Sequence, residues 1–410
     1  MAIDYEENSN GIIALKNSNV KIFTTNIESA AFEQISELVK QPAFANSKIR
    51  IMPDVHAGAG CVIGFTADLG DKVIPNIVGV DIGCGVRVVK LGNIKIDYPA
   101  LDNFIKEKIP AGFCVGNTSY IKYTGFTLQD LYCYNELQNT NRLELGVCSL
   151  GGGNHFIEVD EGSDGQKYLV IHTGSRNLGK QVAIIYQEKA VAYCRSICDD
   201  IVRAKIEELK SKGLQSQIEQ EIHAIREHFN EYSTPKELCF LEGEERKNYL
   251  HDMKLCQLYA RTNRSLIARK ITEYLGLTRC EEFESVHNYI DDTNMVRKGA
   301  VEAHKGQKVI IPLNMRDGSI LGIGKGNSDW NESAPHGAGR LLARGEAKRI
   351  LQLEDFTEAM QGIYTTTADQ STIDESPMAY KDATEIINAI EDTVDIVDLI
   401  KPVYNFKAAE

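Results

Sequence analysis

Nine histidines occur in this chain of 410 residues, and five of them sit in glycine-rich, turn-like surroundings: His56, His155, His172, His336 and, less markedly, His287. The other four, His223, His228, His251 and His304, lie in polar or charged stretches. Imidazole is the commonest metal ligand and a ready acid or base near neutral pH, and loops at strand ends are where sites are built. In VDIGCG, Asp81 and Cys84 are separated by Ile82 and Gly83. A tight turn of that spacing can aim a carboxylate and a thiolate at one point, and a thiolate can bridge two metal ions. Taken alone, the motif reads more simply as a buried cysteine beside a capping aspartate.

GGGNHFIEV brings Asn154, His155 and Glu158 together. In a regular strand His155 and Glu158 face opposite sides, so a bend after Gly153 is required. In IHTGSRNLG, His172 ends an apolar strand and Arg176 opens a helix, and a helix start carrying an arginine suits an anion. His287 is followed by Asn288 in SVHNYID. PHGAGR sets His336 ahead of a flexible turn and Arg340, with Arg344 four residues later. That spacing puts the two arginines on one helical face. A lone histidine is more often a hydrogen-bonded structural residue than a ligand. Jointly, three histidines, one cysteine and one aspartate make a metal site whose mixed N, S and O donors tolerate zinc, manganese or iron. The glycines and arginines around them point to phosphate chemistry.

These turns need a framework. Residues 50–92 and 144–177 are short apolar runs broken by Gly and Pro, a pattern of strands and tight turns. Residues 178–275 are rich in Glu, Lys, Gln and Arg with apolar residues at helical spacing, which predicts a helical insertion. Strands return over 296–327, with KVIIPL the clearest. HGAGRLLARGEAKRIL reads as a turn feeding a helix, and DATEIINAIED as another helix. The expected fold is α+β, a single large domain over 1–410 with a β-sheet core.

Composition narrows the function. The chain is 43% hydrophobic and 25% charged, the profile of a globular protein. No run of about 18 apolar residues argues for a membrane span. The start, MAIDYEENSN, lacks the features of a signal peptide, and the ten cysteines include no CxxC pair. Reduced thiols in the cytoplasm are therefore expected. A net charge of −13 argues against non-specific nucleic-acid binding. Its distribution is uneven, however. Residues 295–350 carry ten Lys/Arg against five Asp/Glu, and residues 351–410 carry three against thirteen. The basic segment is a candidate phosphate-binding surface.

The ordered series PDVHAGAGCVIG, VDIGCGVR, GGGNHF, HTGSR, VRKGA and HGAGR, running from about Met52 to the end, resembles the RtcB RNA ligases. The resemblance, to a somewhat divergent bacterial-type member, implies that an RNA 3′-phosphate or 2′,3′-cyclic phosphate is joined to a 5′-hydroxyl with GTP. His336 is then the residue guanylylated. Two Mn²⁺ ions are implied, bridged by Cys84, with Asp81, His155, His172 and His287 as the other ligands. Asn154 is implied at the nucleotide phosphates, and Glu158, Tyr380 and Lys407 at the guanine. Gly337 and Gly339 allow close approach of backbone to nucleotide. Asp54 lies near the active centre, and Arg176, Lys298, Arg340 and Arg344 hold RNA phosphates. The biological setting is RNA repair or tRNA splicing, with room for an activating protein partner. One segment departs from the family pattern: an IPGSMG-like stretch is replaced by IPLNMRDGSILGIGKGN. Two other functions fit the residues alone. One is a dinuclear metal-dependent phosphoesterase acting on RNA ends, with His336 a phosphate ligand. The other is a non-catalytic RNA-binding protein.

Overall fold

A computed structural model of the chain describes residues 4–8, 11–16, 18–231 and 234–408. The short β-branched runs form strands, as their pattern predicts, and pair into two large sheets. One sheet has seven strands, in spatial order Tyr5–Glu7, Ile13–Leu15, Val20–Ile22, Ile49–His56, Ile63–Asp68, Met295–Lys298 and Asn288–Ile290. The other runs Lys308–Asn314, Gly318–Gly324, Val394–Lys407, Phe156–Glu161, Lys167–Thr173, Gly85–Gly92 and Glu282–Val286, with Tyr364–Thr365 added parallel to the long strand. Strands far apart in the chain thus become neighbours. Glu282–Val286 leads directly into Asn288–Ile290, so His287 sits where one sheet hands over to the other.

Helices occupy the stretch expected over 178–275: Arg176–Ser211, Ile218–Glu231 and Gly243–Tyr274. The last carries a buried stripe at three- and four-residue spacing, Tyr249, Met253, Cys256, Tyr259, Ala260, Asn263, Arg264, Ile267 and Ile271. Its N-terminal part packs with Leu178, Val182 and Tyr186 against the first sheet. Its C-terminal part, through Ile267 and Ile271, packs on Val89, Ile157, Leu169 and Ile171 of the second. Each such fully buried aliphatic contributes about 2 kcal/mol.

The polar members of that stripe hold the loops that carry the chemistry. Arg264 Nη1 donates to the carbonyls of Gly83 and Thr173, each at 2.8 Å. Asn263 accepts from Ser149 N and donates to the carbonyls of Ser149 and Gly174. The helix is therefore the back wall of the turns around Cys84 and His172. No helix among the described residues is long and apolar enough to cross a membrane.

One local expectation fails. The chain after HGAGR does not enter a helix at once: Arg340 bridges Tyr380 in extended backbone, and the seven-residue helix Arg344–Ile350 begins only there. Arg340 and Arg344 do not share a helical face.

Candidate functional site

Cys84 ends a tight turn in which its N–H bonds the Asp81 carbonyl, and it stands at the start of Gly85–Gly92. His172 is on the adjacent strand, paired with Val86, and across from it lies Phe156. His155 immediately precedes that strand. Gly153 takes φ +70°, supplying the bend that His155 and Glu158 require.

These elements converge. The Cys84 Sγ lies 3.4 Å from His155 Nε2 and 3.3 Å from His172 Nε2. His172 Nε2 lies 3.3 Å from His287 Nε2, and His155 Nε2 lies 3.0 Å from Asp81 Oδ2. Two donor sets result, Cys84/His172/His287 and Asp81/Cys84/His155, each with its ligand atoms within 4.8 Å of one another. They share the thiol.

The outer ring nitrogens explain which atoms face inward. His155 Nδ1 lies 3.0 Å from the Leu150 carbonyl and His172 Nδ1 lies 3.1 Å from that of Asn154. A carbonyl can only accept, so the His172 ring proton sits on Nδ1 and its Nε2 presents a lone pair to the cluster; His155 Nδ1 also lies 3.2 Å from the Arg176 guanidinium, and its Nε2 faces the Asp81 carboxylate. Burial, then the neighbouring imidazole of His155, pushes His172 well down from its ordinary value. Burial and then His336 do the same to His287. Both rings are thus neutral, the ligating form. Burial and then the Asp81 carboxylate push the Cys84 thiol well up. Burial would raise Asp81 too, but His155 and Arg176 outweigh it and hold the carboxyl well below the usual range. Converging lone pairs repel, and a divalent cation shared among them converts the repulsion into bonding and displaces the thiol proton. The residues fit a metal pair.

His336 lies beside this cluster but in neither donor set. Its ring centroid is 4.8 Å from that of His287. Fully buried Asp54 accepts from His336 Nδ1 at 2.6 Å and from His336 N at 3.2 Å. Nε2 is the nitrogen turned away from that clamp. Gly339, at φ +78°, leaves no room for a side chain, because a Cβ there would meet the Asp54 carbonyl oxygen at 2.5 Å. The bare glycine serves the approach of this turn to the strand Ile49–His56.

A cavity of about 610 Å³ joins these groups, lined among others by Asp81, Cys84, Asn154, Glu158, His172, His287, His336, Gly337, Gly339, Arg340, Arg344, Tyr380 and Lys407. Pro312, Leu313, Asn314 and Met315 of the divergent segment form another part of its wall. At the far end Lys407 Nζ donates to Glu375 at 2.7 Å, Tyr380 Oη donates to the same carboxylate at 2.6 Å, and Arg340 Nη1 lies 3.1 Å from it. Arg344 Nη1 also reaches Glu375, at 2.5 Å, and Asp374 at 2.8 Å.

Two cations expected at RNA phosphates, Lys298 and Arg176, are not on the cavity lining. Lys298 is 4% exposed and its ammonium donates to the carbonyls of Ala59 and Asn76. Arg176, half-buried at a positive φ of 55°, opens its helix beside Asp81 rather than on the cavity lining. The basic segment 295–350 is likewise partly neutralised by the acidic tail: Lys348 pairs with Asp374 and Lys325 with Asp395. Sequence reasoning gave no role to Glu375, Asp374 or Phe156. Nor did it give one to His56, whose Nδ1 bonds the Asp54 carbonyl on the cavity wall.

Comparison with known proteins gives a consistent family. The family model described as tRNA-splicing ligase RtcB matches residues 34–134 and 133–408. The chain is 28% identical to the RNA-splicing ligase RtcB of Escherichia coli (strain K12), over 96% of this chain and 98% of that protein. It is also 28% identical to the tRNA-splicing ligase RtcB of Aeropyrum pernix, over 82% of each chain. The identity to the Methanococcus maripaludis tRNA-splicing ligase RtcB is 28%, over 90% of this chain and 89% of that one.

Proposed function

The chain belongs to the RtcB family and is an RNA ligase, and from that premise we propose that it joins an RNA 3′-phosphate or 2′,3′-cyclic phosphate to a 5′-hydroxyl, using GTP, a His336–GMP intermediate and two Mn²⁺ ions. The observation that carries this reading is the His336–Asp54 clamp. A buried carboxylate that accepts from Nδ1 fixes the tautomer, so that the neutral ring carries its lone pair on Nε2 and aims it away from the clamp, the arrangement an imidazole needs to act as a nucleophile. Nε2 attacks the α-phosphorus of GTP, an N–P bond forms, and the bond to pyrophosphate breaks. The Nδ1 proton stays where Asp54 holds it, so Asp54 stabilises the positive ring that results. A 2′,3′-cyclic phosphate end first takes up water, which breaks the bond to the 2′-oxygen and leaves a 3′-phosphate and a 2′-hydroxyl; the RNA 3′-phosphate oxygen then displaces His336 from the GMP phosphorus. Finally the 5′-hydroxyl attacks the activated phosphate, and GMP leaves.

Asp81, Cys84, His155, His172 and His287 would hold the two Mn²⁺ ions, which would supply Lewis-acid polarisation of the phosphate oxygens. Asn154 lies at the junction with the nucleotide phosphates. Glu158, Tyr380 and Lys407 face the base, and Gly337 lets the chain pass close to it. Arg340 and Arg344 are the cavity-lining cations best placed for RNA phosphates. The helix Gly243–Tyr274 works as part of the ligase body, because Arg264 and Asn263 fix the metal-bearing turns.

Incubation with α-labelled GTP and Mn²⁺ tests the proposal. The wild type acquires an acid-labile covalent label. His336→Ala keeps its metal, acquires no label, and still seals an RNA whose 3′-phosphate already carries GMP. Full GTP-dependent sealing by the variant would overturn the reading. Loss of metal together with activity would make His336 a ligand and favour the phosphoesterase.

A further inference from the structure

Glu375 is 2% exposed, yet the cationic end of the cavity is organised around it. It sits on the short turn of helix Ile373–Glu375. Its partners come from three places in the chain: Lys407 from the C-terminal strand, Tyr380 from the segment after the turn, and Arg340 and Arg344 from beyond His336. Burial alone would raise its carboxyl, but Lys407, Arg344 and Arg340 together hold it well below the usual carboxylate range. It is therefore an anion at any working pH. Removing the anion from so dry a place strands the charges that face it.

We infer that Glu375 is the positioning residue of the base-recognising end: by fixing the Lys407 ammonium and the Tyr380 hydroxyl, it sets the discrimination between guanine and adenine. This rests on the nucleotide reading above. Lys407 is 5% exposed, with its ammonium 5.5 Å from the centre of the Phe156 ring. An ammonium has donors only. It suits the O6 and N7 acceptors of guanine and opposes the N6 donor of adenine. That preference survives only while the ammonium is held still, and Glu375 holds it. Asp374, the preceding residue, engages Arg344 and Lys348 but neither Lys407 nor Tyr380. It is a built-in control.

The experiment measures binding of GTP, ATP and inorganic tripolyphosphate to the intact protein with Mn²⁺ present. Glu375→Gln is expected to reduce the GTP-over-ATP preference by roughly ten- to a hundredfold, the effect of one charge-assisted hydrogen bond. Tripolyphosphate affinity holds or rises, because a negative charge has left the cluster. Asp374→Asn keeps the preference. Glu375→Asp retains the charge, and so the fold, but withdraws the carboxylate from Lys407 and Tyr380, and it shows the same loss in smaller degree. An unchanged preference in both Glu375 variants overturns the inference. So does a loss matched by Asp374→Asn, or one that merely follows a fall in tripolyphosphate affinity. A wild type with no nucleotide preference would instead sink the GTP reading itself.

Discussion

The two ends of the cavity are built on opposite principles. At the metal end the donors are three imidazoles, a thiol and the Asp81 carboxylate, set by turns and strand ends and locked from behind by Arg264 and Asn263. At the far end the cations are already paired with a buried carboxylate. The first end is an unfinished coordination sphere that a divalent ion completes. The second is a finished electrostatic cluster that a ligand must fit or rearrange. The difference teaches where affinity and where selectivity come from. Converging lone pairs give strong binding of a cation with little choice among metals, whereas a fixed pattern of charged donors and acceptors discriminates between ligands of similar size.

The largest expected effect breaks the metal end. Cys84 is the one residue common to both donor sets. Its replacement by Ala leaves each set with two donors, so bound Mn²⁺ falls to background and ligation with it. Elemental analysis of the variant checks this. The fold itself should hold, since the truncation of a buried Cys costs about 1 kcal/mol. A variant that keeps wild-type metal would show that the thiol does not bridge. Next comes the junction. Asp54→Asn preserves shape but offers an amide N–H to His336 Nδ1, which drives the ring proton to Nε2 and blocks the nucleophile. Adduct formation should slow on the order of 10³-fold with metal content unchanged. Equal rates in variant and wild type would remove Asp54 from the chemistry.

How much of this was legible before any coordinates follows the same divide. The metal end is encoded locally: VDIGCG, GNHF and HTGSR set members of the donor cluster by the geometry of single turns, and short-range spacing is what a sequence displays. The sheets and the helical stretch were legible for a similar reason, because their periodicities persist over several turns. The far end is not local. Glu375 lies in STIDESPMAY with nothing to mark it, and its importance appears only when residues 340, 344, 380 and 407 converge on it. Arg340 and Arg344 mislead in another way. Their four-residue spacing suggests a helix, but pairing of Arg340 with Tyr380 and the bond from Leu341 N to the Ala379 carbonyl keep the chain extended. The charge count misled as well, since a basic segment and an acidic tail that fold onto each other neutralise part of the surface each suggests alone. Asn263 and Arg264 were hidden inside an ordinary helical stripe.

A smaller effect sharpens the comparison at the rim of the far end. The Arg344 side chain is 37% exposed, the most open of the cations on Glu375. Arg344→Ala should weaken RNA binding severalfold and lower the slope of log affinity against log salt by roughly one. Labelling with GTP should change less. If labelling falls as far as sealing does, Arg344 belongs with the nucleotide and the cationic end has no separate RNA rim.

The smallest effect concerns Glu158, which stands between the two ends. Burial pushes its carboxyl up to about 7, against the pull of Lys407 and of the Asn405 amide that donates to it. Asp160, on the same face of the strand Phe156–Glu161 and with neither oxygen hydrogen-bonded, is likewise pushed well up, by burial and then by Glu158. Because the folded value of Glu158 lies above the unfolded one of about 4.3, the folded state favours its protonated form. That contribution to stability is fully present below the unfolded value and is lost as pH rises through about 7. The buried imidazoles of His172 and His287 have the opposite sign, since their folded values are depressed and their contribution is lost as pH falls. The wild-type curve alone is therefore ambiguous. The difference in Tm between the wild type and Glu158→Gln, followed from about pH 5 to 8 without added nucleotide, isolates the carboxyl and should shrink steadily across that window. If Glu158 accepts hydrogen bonds from guanine, it must do so ionised, so GTP binding below about pH 7 releases a proton and strengthens as pH rises, a dependence that the Gln variant lacks. A Tm difference that stays constant with pH would mean that Glu158 is already ionised in the fold, held so by Lys407, and would place it with the charged end of the cavity.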